Sequence, residues 1–237
     1  PAAPPAQPVD TKTETVRARP ADSAPRDAAE SPAQRTSLFG EASTLEEVRK
    51  VLGDCRRCGL CDGRKNIVFG SGNPNADLMF IGEGPGFHED QQGRPFVGPS
   101  GKLLDDLLGL IGLSRPDVYI ANVVKCRPPN NRDPYPGEIS ACGKYLDRQI
   151  QLVNPKVIVT LGRHSLSKFL PGETISKVRG KQRRLGSFIL YPMYHPAAAL
   201  HQHSLRRTIE EDFKAIPALL AERQSPQRPD TKQLSMF

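Results

Sequence analysis

The chain has 237 residues, a net charge of +7, five cysteines and no tryptophan. It is long enough for one domain with a real core, and its basic balance suits an anionic partner such as nucleic acid. No apolar run approaches membrane-spanning length, so no membrane partner is expected, and an odd cysteine count argues against a disulfide framework and for metal or redox chemistry.

Residues 1–40 are rich in Pro and Ala and poor in large apolar side chains. Such a segment buries too little surface to offset its ordering entropy, so a disordered tether is expected. The sequence opens on Pro rather than Met, as a trimmed start would, and its first residues do not read as a secretory leader. Order is expected from Ser43-Thr44-Leu45-Glu46, read as a capping box, with Leu45, Val48, Val51 and Leu52 on one helical face. That helix delivers Cys55 and Cys58. A strand is expected at 77–81, ending in Gly82-Glu83-Gly84-Pro85-Gly86. A long loop follows, then a helix at 100–110 with Leu103, Leu104, Leu107 and Leu108 buried. Further expected elements are a strand at 118–124, a helix at 138–152 carrying Cys142, a strand at 157–161 and a short helix at 164–170. A fourth strand at 188–193 runs to His195-Pro196, and a last helix spans 205–220. This places one domain at 41–222 and a flexible tail at 223–237.

Strands alternating with helices imply an α/β fold, a three-layer sandwich around a mainly parallel sheet. In such sheets ligands bind beyond the carboxyl ends of the strands. Glu83, Asn122 and His195 all fall at or just past expected strand ends, which gathers the polar candidates on one rim.

The cysteine spacing is C-x2-C-x67-C-x15-C for Cys55, Cys58, Cys126 and Cys142. Four thiolates suit a [4Fe–4S] cluster or a structural zinc, and the absence of a compact zinc-ribbon spacing favours iron. Spacing alone leaves Cys61 open as a ligand, because Cys55-Cys58-Cys61 mimics a ferredoxin-like run.

Six stretches taken together resemble the iron–sulfur uracil-DNA glycosylases known as family 4. They are CRRCGLCDGRKNIVFGSGNP, FIGEGPGFHEDQQGRPFVGPSG, IANVVKCRPPNNRDP, VIVTLGRHSLSKFL, ISKVRGK and YPMYHPAAAL, and they span about residues 50–220. The resemblance implies a mainly parallel four-stranded sheet between helices and removal of uracil from DNA to leave an abasic site. It also implies a [4Fe–4S] cluster held by Cys55, Cys58, Cys126 and Cys142, with Cys61 not a ligand.

Excision of uracil breaks an N-glycosidic bond, leaving a cationic sugar and an anionic base, and needs the nucleotide outside the stack. His195 is the candidate donor to uracil O2. Asn122 can pair with N3–H and O4, a pattern that cytosine reverses. Phe96 is expected to stack on the flipped base. Glu83 and Glu89 are the carboxylates at the site. Glu83 is expected to structure the loop, and Glu89 to position water or screen the thymine methyl, although the two roles can be exchanged. Gly82 and Gly84 allow close backbone approach, and Ser100 at a helix start can hold a phosphate. Leu200 is the expected wedge into the duplex. Arg206 and Arg207, with a second basic run at Lys177, Arg179, Lys181, Arg183 and Arg184, are expected phosphate contacts.

The chain ends Gln233-Leu234-Ser235-Met236-Phe237. This tail resembles the pentapeptide by which bacterial repair and replication proteins dock on the sliding clamp, with Leu234, Met236 and Phe237 as apolar anchors and Gln233 as a polar one. The expected setting is cytoplasmic and nucleoid-associated, and the expected state a monomer acting on uracil-containing DNA. The competing readings are a non-catalytic iron–sulfur DNA-binding or redox-sensing module, and a zinc-stabilised hydrolase of another nucleic-acid bond.

Overall fold

The computed structural model describes residues 38–222. The expected tether up to residue 37 and the tail from 223 on, with Gln233, Leu234, Met236 and Phe237, lie outside the described residues. Helix α1 is Leu45–Leu52, and its cap lies one residue later than the sequence suggests. Thr44 Oγ1 accepts from Glu47 N–H, while the Glu47 carboxylate accepts from the backbone of both Ser43 and Thr44. The helix stops at Gly53, so Cys55 and Cys58 follow in a loop rather than on the helix.

Strands β1 (Ser71–Gly72) and β2 (Leu78–Gly82) come next. The stretch expected to be a long loop contains α2 (Phe87–Gln92), after which α3 spans Pro99–Leu110. Strand β3 is Tyr119–Asn122, shorter than expected. Past Asn122 the chain leaves the ladder, with Val123 and Val124 N–H donating to the carbonyls of Gly82 and Glu83. Then come α4 (Pro136–Val153), β4 (Val157–Leu161), α5 (Arg163–Phe169), α6 (Ile175–Val178), β5 (Arg183–Leu185) and β6 (Phe188–Met193). The chain closes with α7 (Pro196–His201), α8 (Ser204–Lys214) and α9 (Ile216–Ala221). The single last helix of the sequence reading is therefore two. Pro217 lies in the first turn of α9, where its missing N–H costs nothing, whereas in a continuous helix it would remove a ladder bond.

The sheet has six strands in the order β1-β3-β2-β4-β6-β5, not four. The expected four are its parallel centre, and two short antiparallel strands add an edge on each side. Side chains alternate between two cores, as the period of two requires. Leu78, Phe80, Val157, Val159, Leu161, Tyr191 and Met193 face α3 and α8. Met79, Ile81, Ile158 and Leu190 face α4, through Leu146 and Ile150. A third core sets Val48 and Leu52 of α1, with Phe39 and Phe69, against Tyr145 of α4. This brings the chain just before Cys55 beside the helix that carries Cys142.

Candidate active site and cysteine cavity

Because β2, β3 and β6 run parallel, their carboxyl ends share one rim, and the expected site residues converge there. A cleft of about 390 Å³ is lined by Glu83, Gly84, Gly86, Glu89, Phe96, Ser100, Asn122, His195 and Ala197, among others. That volume falls within the roughly 300–1,000 Å³ typical of ligand pockets. Asn122 ends β3 with its side chain buried, and among the described residues its Oδ1 has no hydrogen-bond partner. A buried acceptor left open costs about 1–3 kcal/mol, which a ligand donor can recover.

Gly82 makes this corner possible. A Cβ there would stand 2.4 Å from Asn122 Oδ1 and 2.7 Å from the Phe96 ring. Phe96 is buried, at the edge of the core facing α3, and lies nearly parallel to His195, with ring centroids 5.4 Å apart and planes 24° apart. Its backbone is left-handed at φ 53°, a conformation that persists only where neighbours fix it. Arg115 supplies that fixation by donating to the carbonyls of both Pro95 and Phe96. Gly101 completes it, since a Cβ there would overlap the Phe96 carbonyl at 1.9 Å. Gly101 thus serves packing against Phe96, while Ser100 beside it faces the cleft.

His195 precedes α7, and its Nδ1 accepts from Ala197 N–H at 3.1 Å. In the neutral ring the proton must then sit on Nε2. Burial pushes the imidazole down to about 4, opposed by the charge of Glu89, so the ring is neutral at physiological pH.

The two carboxylates have distinct work. Glu89 is buried, with Oε1 accepting from Val97 and Gly98 N–H at 2.8 Å each and Oε2 from Gly86 N–H at 3.1 Å. It therefore ties the loop together, the part the sequence reading gave to Glu83. Glu83 is half-buried, and its Oε2 lies 3.6 Å from His164 Nε2. His164 Nε2 is also 3.2 Å from Asp133 Oδ1, and Asp133 pairs with Arg163. Burial raises the Glu83 carboxyl above its ordinary value, and the nearby His164 offsets part of that rise. Sequence reasoning missed His164 and Asp133. Both lie in stretches quoted above, but nothing in their spacing predicts that a strand end would bring them to Glu83.

Of the expected DNA contacts, Ser100 lines the cleft, whereas Leu200, Arg206 and Arg207 sit outside its lining. Leu200 is exposed on α7. Arg206 and Arg207, on α8, pair with Glu210 and Glu211 one turn on, at 2.9 and 3.0 Å. In the second basic run, Arg179 holds the buried Asp212, Arg183 pairs with Glu173 and Arg184 with Glu222. Within that run Arg179 also serves as a tertiary strut to α8.

A second, smaller cavity lies behind the site. Cys55, Cys58, Cys126 and Cys142 line it together with Leu52, Arg57, Arg64, Ile67, Lys125 and Ala141, and Cys61 is not among the lining. N–H groups point at the sulfurs. Lys125 N–H donates to Cys142 Sγ at 3.3 Å, Arg64 Nη1 to Cys126 Sγ at 3.5 Å and Arg57 Nη1 to Cys55 Sγ at 3.6 Å. Burial pushes the Cys126 thiol up to about 12 and the Cys142 thiol to about 11, so a thiolate here needs a cation beside it. Four cysteines lining one cavity, three of them with N–H donors at their sulfurs, are a donor set that fits a thiolate-ligated metal group.

The profile of the family described as "Uracil DNA glycosylase superfamily" matches residues 69–218. The type-4 uracil-DNA glycosylase of Sulfurisphaera tokodaii is 50% identical over 186 residues, covering 74% of this chain and 84% of that protein. That of Archaeoglobus fulgidus is 46% identical over 190 residues, covering 76% and 96%. That of Thermotoga maritima is 47% identical over 188 residues, covering 77% and 98%.

Proposed function

The chain belongs to the uracil DNA glycosylase superfamily and to its type-4 branch, and on that premise we propose a role for each group in the cleft. The enzyme hydrolyses the N-glycosidic bond of uracil in DNA, releasing the free base and leaving an abasic site for base excision repair. The observation that carries the assignment to this cleft is the open, buried Oδ1 of Asn122.

In this reading the flipped uracil enters beside Phe96, its N3–H meets Asn122 Oδ1, and its O4 accepts from Asn122 Nδ2. Cytosine offers an acceptor at N3 and a donor at N4, so both contacts would oppose it. As the C1′–N1 bond breaks, the electron pair moves onto the base. His195 Nε2–H donates to O2 and stabilises that charge, a contribution of about 3 kcal/mol for a preorganised donor. Glu83, with His164 and Asp133 behind it, offsets the cationic sugar and holds the water that adds to C1′. The proton that water loses is taken by the Glu83 carboxylate and passes through solvent to the uracil anion, which leaves as the neutral base. Glu89 keeps the 86–98 wall in place. Ser100, Arg206 and Arg207 contact phosphates, the two arginines exchanging their glutamate partners for DNA, and Leu200 fills the gap left by the base.

Cys55, Cys58, Cys126 and Cys142 would hold a [4Fe–4S] cluster. It would cross-link the segment after α1, the loop after β3 and α4. Zinc would bind the same sulfurs without visible absorbance, so the absorbance of anaerobically purified protein separates the two. The C-terminal Gln233, Leu234, Met236 and Phe237 dock on a bacterial sliding clamp, and the protein works as a monomer in the cytoplasm, at the nucleoid. The support for the docking is the apolar tail sequence itself. Removing the last five residues should abolish clamp binding and leave activity on free oligonucleotides intact; intrinsic activity lost with the tail would refute it. Among the described residues no helix is long and apolar enough to cross a membrane.

The test of base reading is single-turnover excision by the parent and by Asn122→Ala on strands carrying uracil, cytosine or thymine. The parent should act on uracil alone, and the variant should lose most of that rate. An Asn122→Ala enzyme as fast as the parent on uracil would remove Asn122 from the reading.

A further inference from the structure

Exposed apolar side chains fall, along the chain, next to residues that line the cleft. The large apolar residues most exposed among the described ones are Phe87, Leu110, Tyr135 and Leu200. Three of them adjoin cleft-lining residues. Phe87 sits between Gly86 and Glu89, Tyr135 follows the Arg132 loop, and Leu200 lies one turn beyond Ala197. Leu200 already has a role as a wedge. Phe87, the most exposed at 52%, has none.

Its surroundings are built for an aromatic partner. The Arg127 guanidinium lies 5.2 Å from the Phe87 ring centroid. Arg127 is itself steered by Asn131, whose Oδ1 accepts from its Nε at 2.8 Å and which lines the cleft. Asn131 holds a left-handed backbone, as does Asn130 before it, so the chain turns sharply where it lines the cleft. One side of the ring thus carries a cation, and the remainder faces solvent next to the opening through which a nucleotide must pass.

Flipping a base out of the stack leaves its neighbours without a stacking partner. An exposed aromatic at the pocket mouth can replace that partner whatever the neighbour's identity, because every base has a π face. A guanidinium behind the ring adds attraction for the adjoining phosphate. We propose that Phe87, backed by Arg127, is the stacking platform for the base next to the flipped uracil on the same strand. This rests on the uracil-excision reading of the cleft and adds a contact outside it. It makes Phe87 a substrate-binding residue that acts on capture of the strand rather than on bond cleavage.

The test uses single-stranded oligonucleotides with one uracil, and the parent, Phe87→Ala and Phe87→Trp enzymes. Phe87→Ala should raise KM about tenfold, the size of one lost base–aromatic stack, at unchanged kcat. Phe87→Trp should restore KM. A second readout places 2-aminopurine beside a 2′-fluorinated deoxyuridine, whose fluorine disfavours the cationic sugar and blocks excision. Its emission should be quenched on binding the parent and Phe87→Trp, and not on binding Phe87→Ala. Equal KM and equal quenching in parent and Phe87→Ala would overturn the platform while leaving uracil excision standing. A parent enzyme that releases no uracil would instead overturn the underlying reading, and the platform with it.

Discussion

The buried ammonium of Lys125 donates to the main-chain carbonyl of Asn122 at 2.7 Å. It also donates to Gln149 Oε1 on α4, at 2.6 Å, and Gln149 in turn donates to Phe69 O and Tyr119 Oη. The backbone of the same lysine donates to Cys142 Sγ. One residue therefore joins the strand end that presents Asn122 to the wall of the cysteine cavity. Burying an ammonium is costly unless its donors are satisfied, and here both acceptors are fixed by the sheet and by α4.

Lys125→Met keeps an unbranched side chain, one atom shorter, and removes the ammonium donors while leaving the backbone N–H to Cys142 Sγ. It leaves Asn122 O and Gln149 Oε1 without a partner, at a cost of about 1–3 kcal/mol each, partly returned by no longer burying a charge. The expected result is a folded protein whose kcat/KM on uracil falls by about tenfold or more, since small misplacements of a positioning group cost that much. Visible absorbance should be retained. Steady-state kinetics with a thermal melt check it, and full activity in the variant would dissociate Lys125 from base reading.

Gly82→Ala puts a methyl group within 2.4 Å of Asn122 Oδ1 and 2.7 Å of Phe96. Both neighbours are buried and Phe96 is held by Arg115, so neither can yield cheaply. Stability should fall by about 1–3 kcal/mol, the usual penalty for overpacking. Activity should fall by at least about a hundredfold, as the site loses its shape. Chemical denaturation and single-turnover rates measure the two effects separately.

Glu89→Ala strips the acceptor from Gly86, Val97 and Gly98 N–H. The expected loss is about 2–4 kcal/mol, less than three full penalties because water reaches part of the loop. Glu89→Gln keeps one acceptor oxygen and should lie between. If Glu89→Ala melts with the parent, the carboxylate does not hold the wall.

The acid limb of the rate should belong to Glu83. His195 is held neutral down to about 4, whereas the Glu83 carboxyl is raised above its ordinary value by burial. Glu83 works as the carboxylate, so activity is lost as pH falls through its raised pKa, and Glu83→Gln should remove that limb along with most of the rate. His195 acts on stability with its own sign. The folded state binds its proton less readily than the unfolded chain, so stability falls as pH drops from about 6.5 towards 4. A pH–rate profile of parent and Glu83→Gln, with melts of parent and His195→Ala, separates the two.

Much of this was legible in the chain. The strands at 157–161 and 188–193 follow from apolar runs between turn residues, and the strand ends alone aligned Glu83, Asn122 and His195. The four cysteines could be grouped, but only folding shows Cys61 outside the cavity lining. Ser71–Gly72 and Arg183–Leu185 are too short to show alternation, so the sheet edges were missed. Phe87–Gln92 has no apolar periodicity, because Glu89 holds it from inside the loop. The Glu83–His164–Asp133 contacts and the Lys125 strut join residues distant in sequence, and no local pattern encodes them.

The most direct test of the whole account is release of abasic sites. A labelled single strand with one uracil is incubated with anaerobically purified protein and then cleaved with alkali. A thymine strand and a His195→Ala enzyme are run beside it. Cleavage at uracil alone, reduced at least about a hundredfold in the variant, is what the account predicts. An intact, coloured protein that cleaves neither strand, or a His195→Ala enzyme as active as the parent, would contradict it.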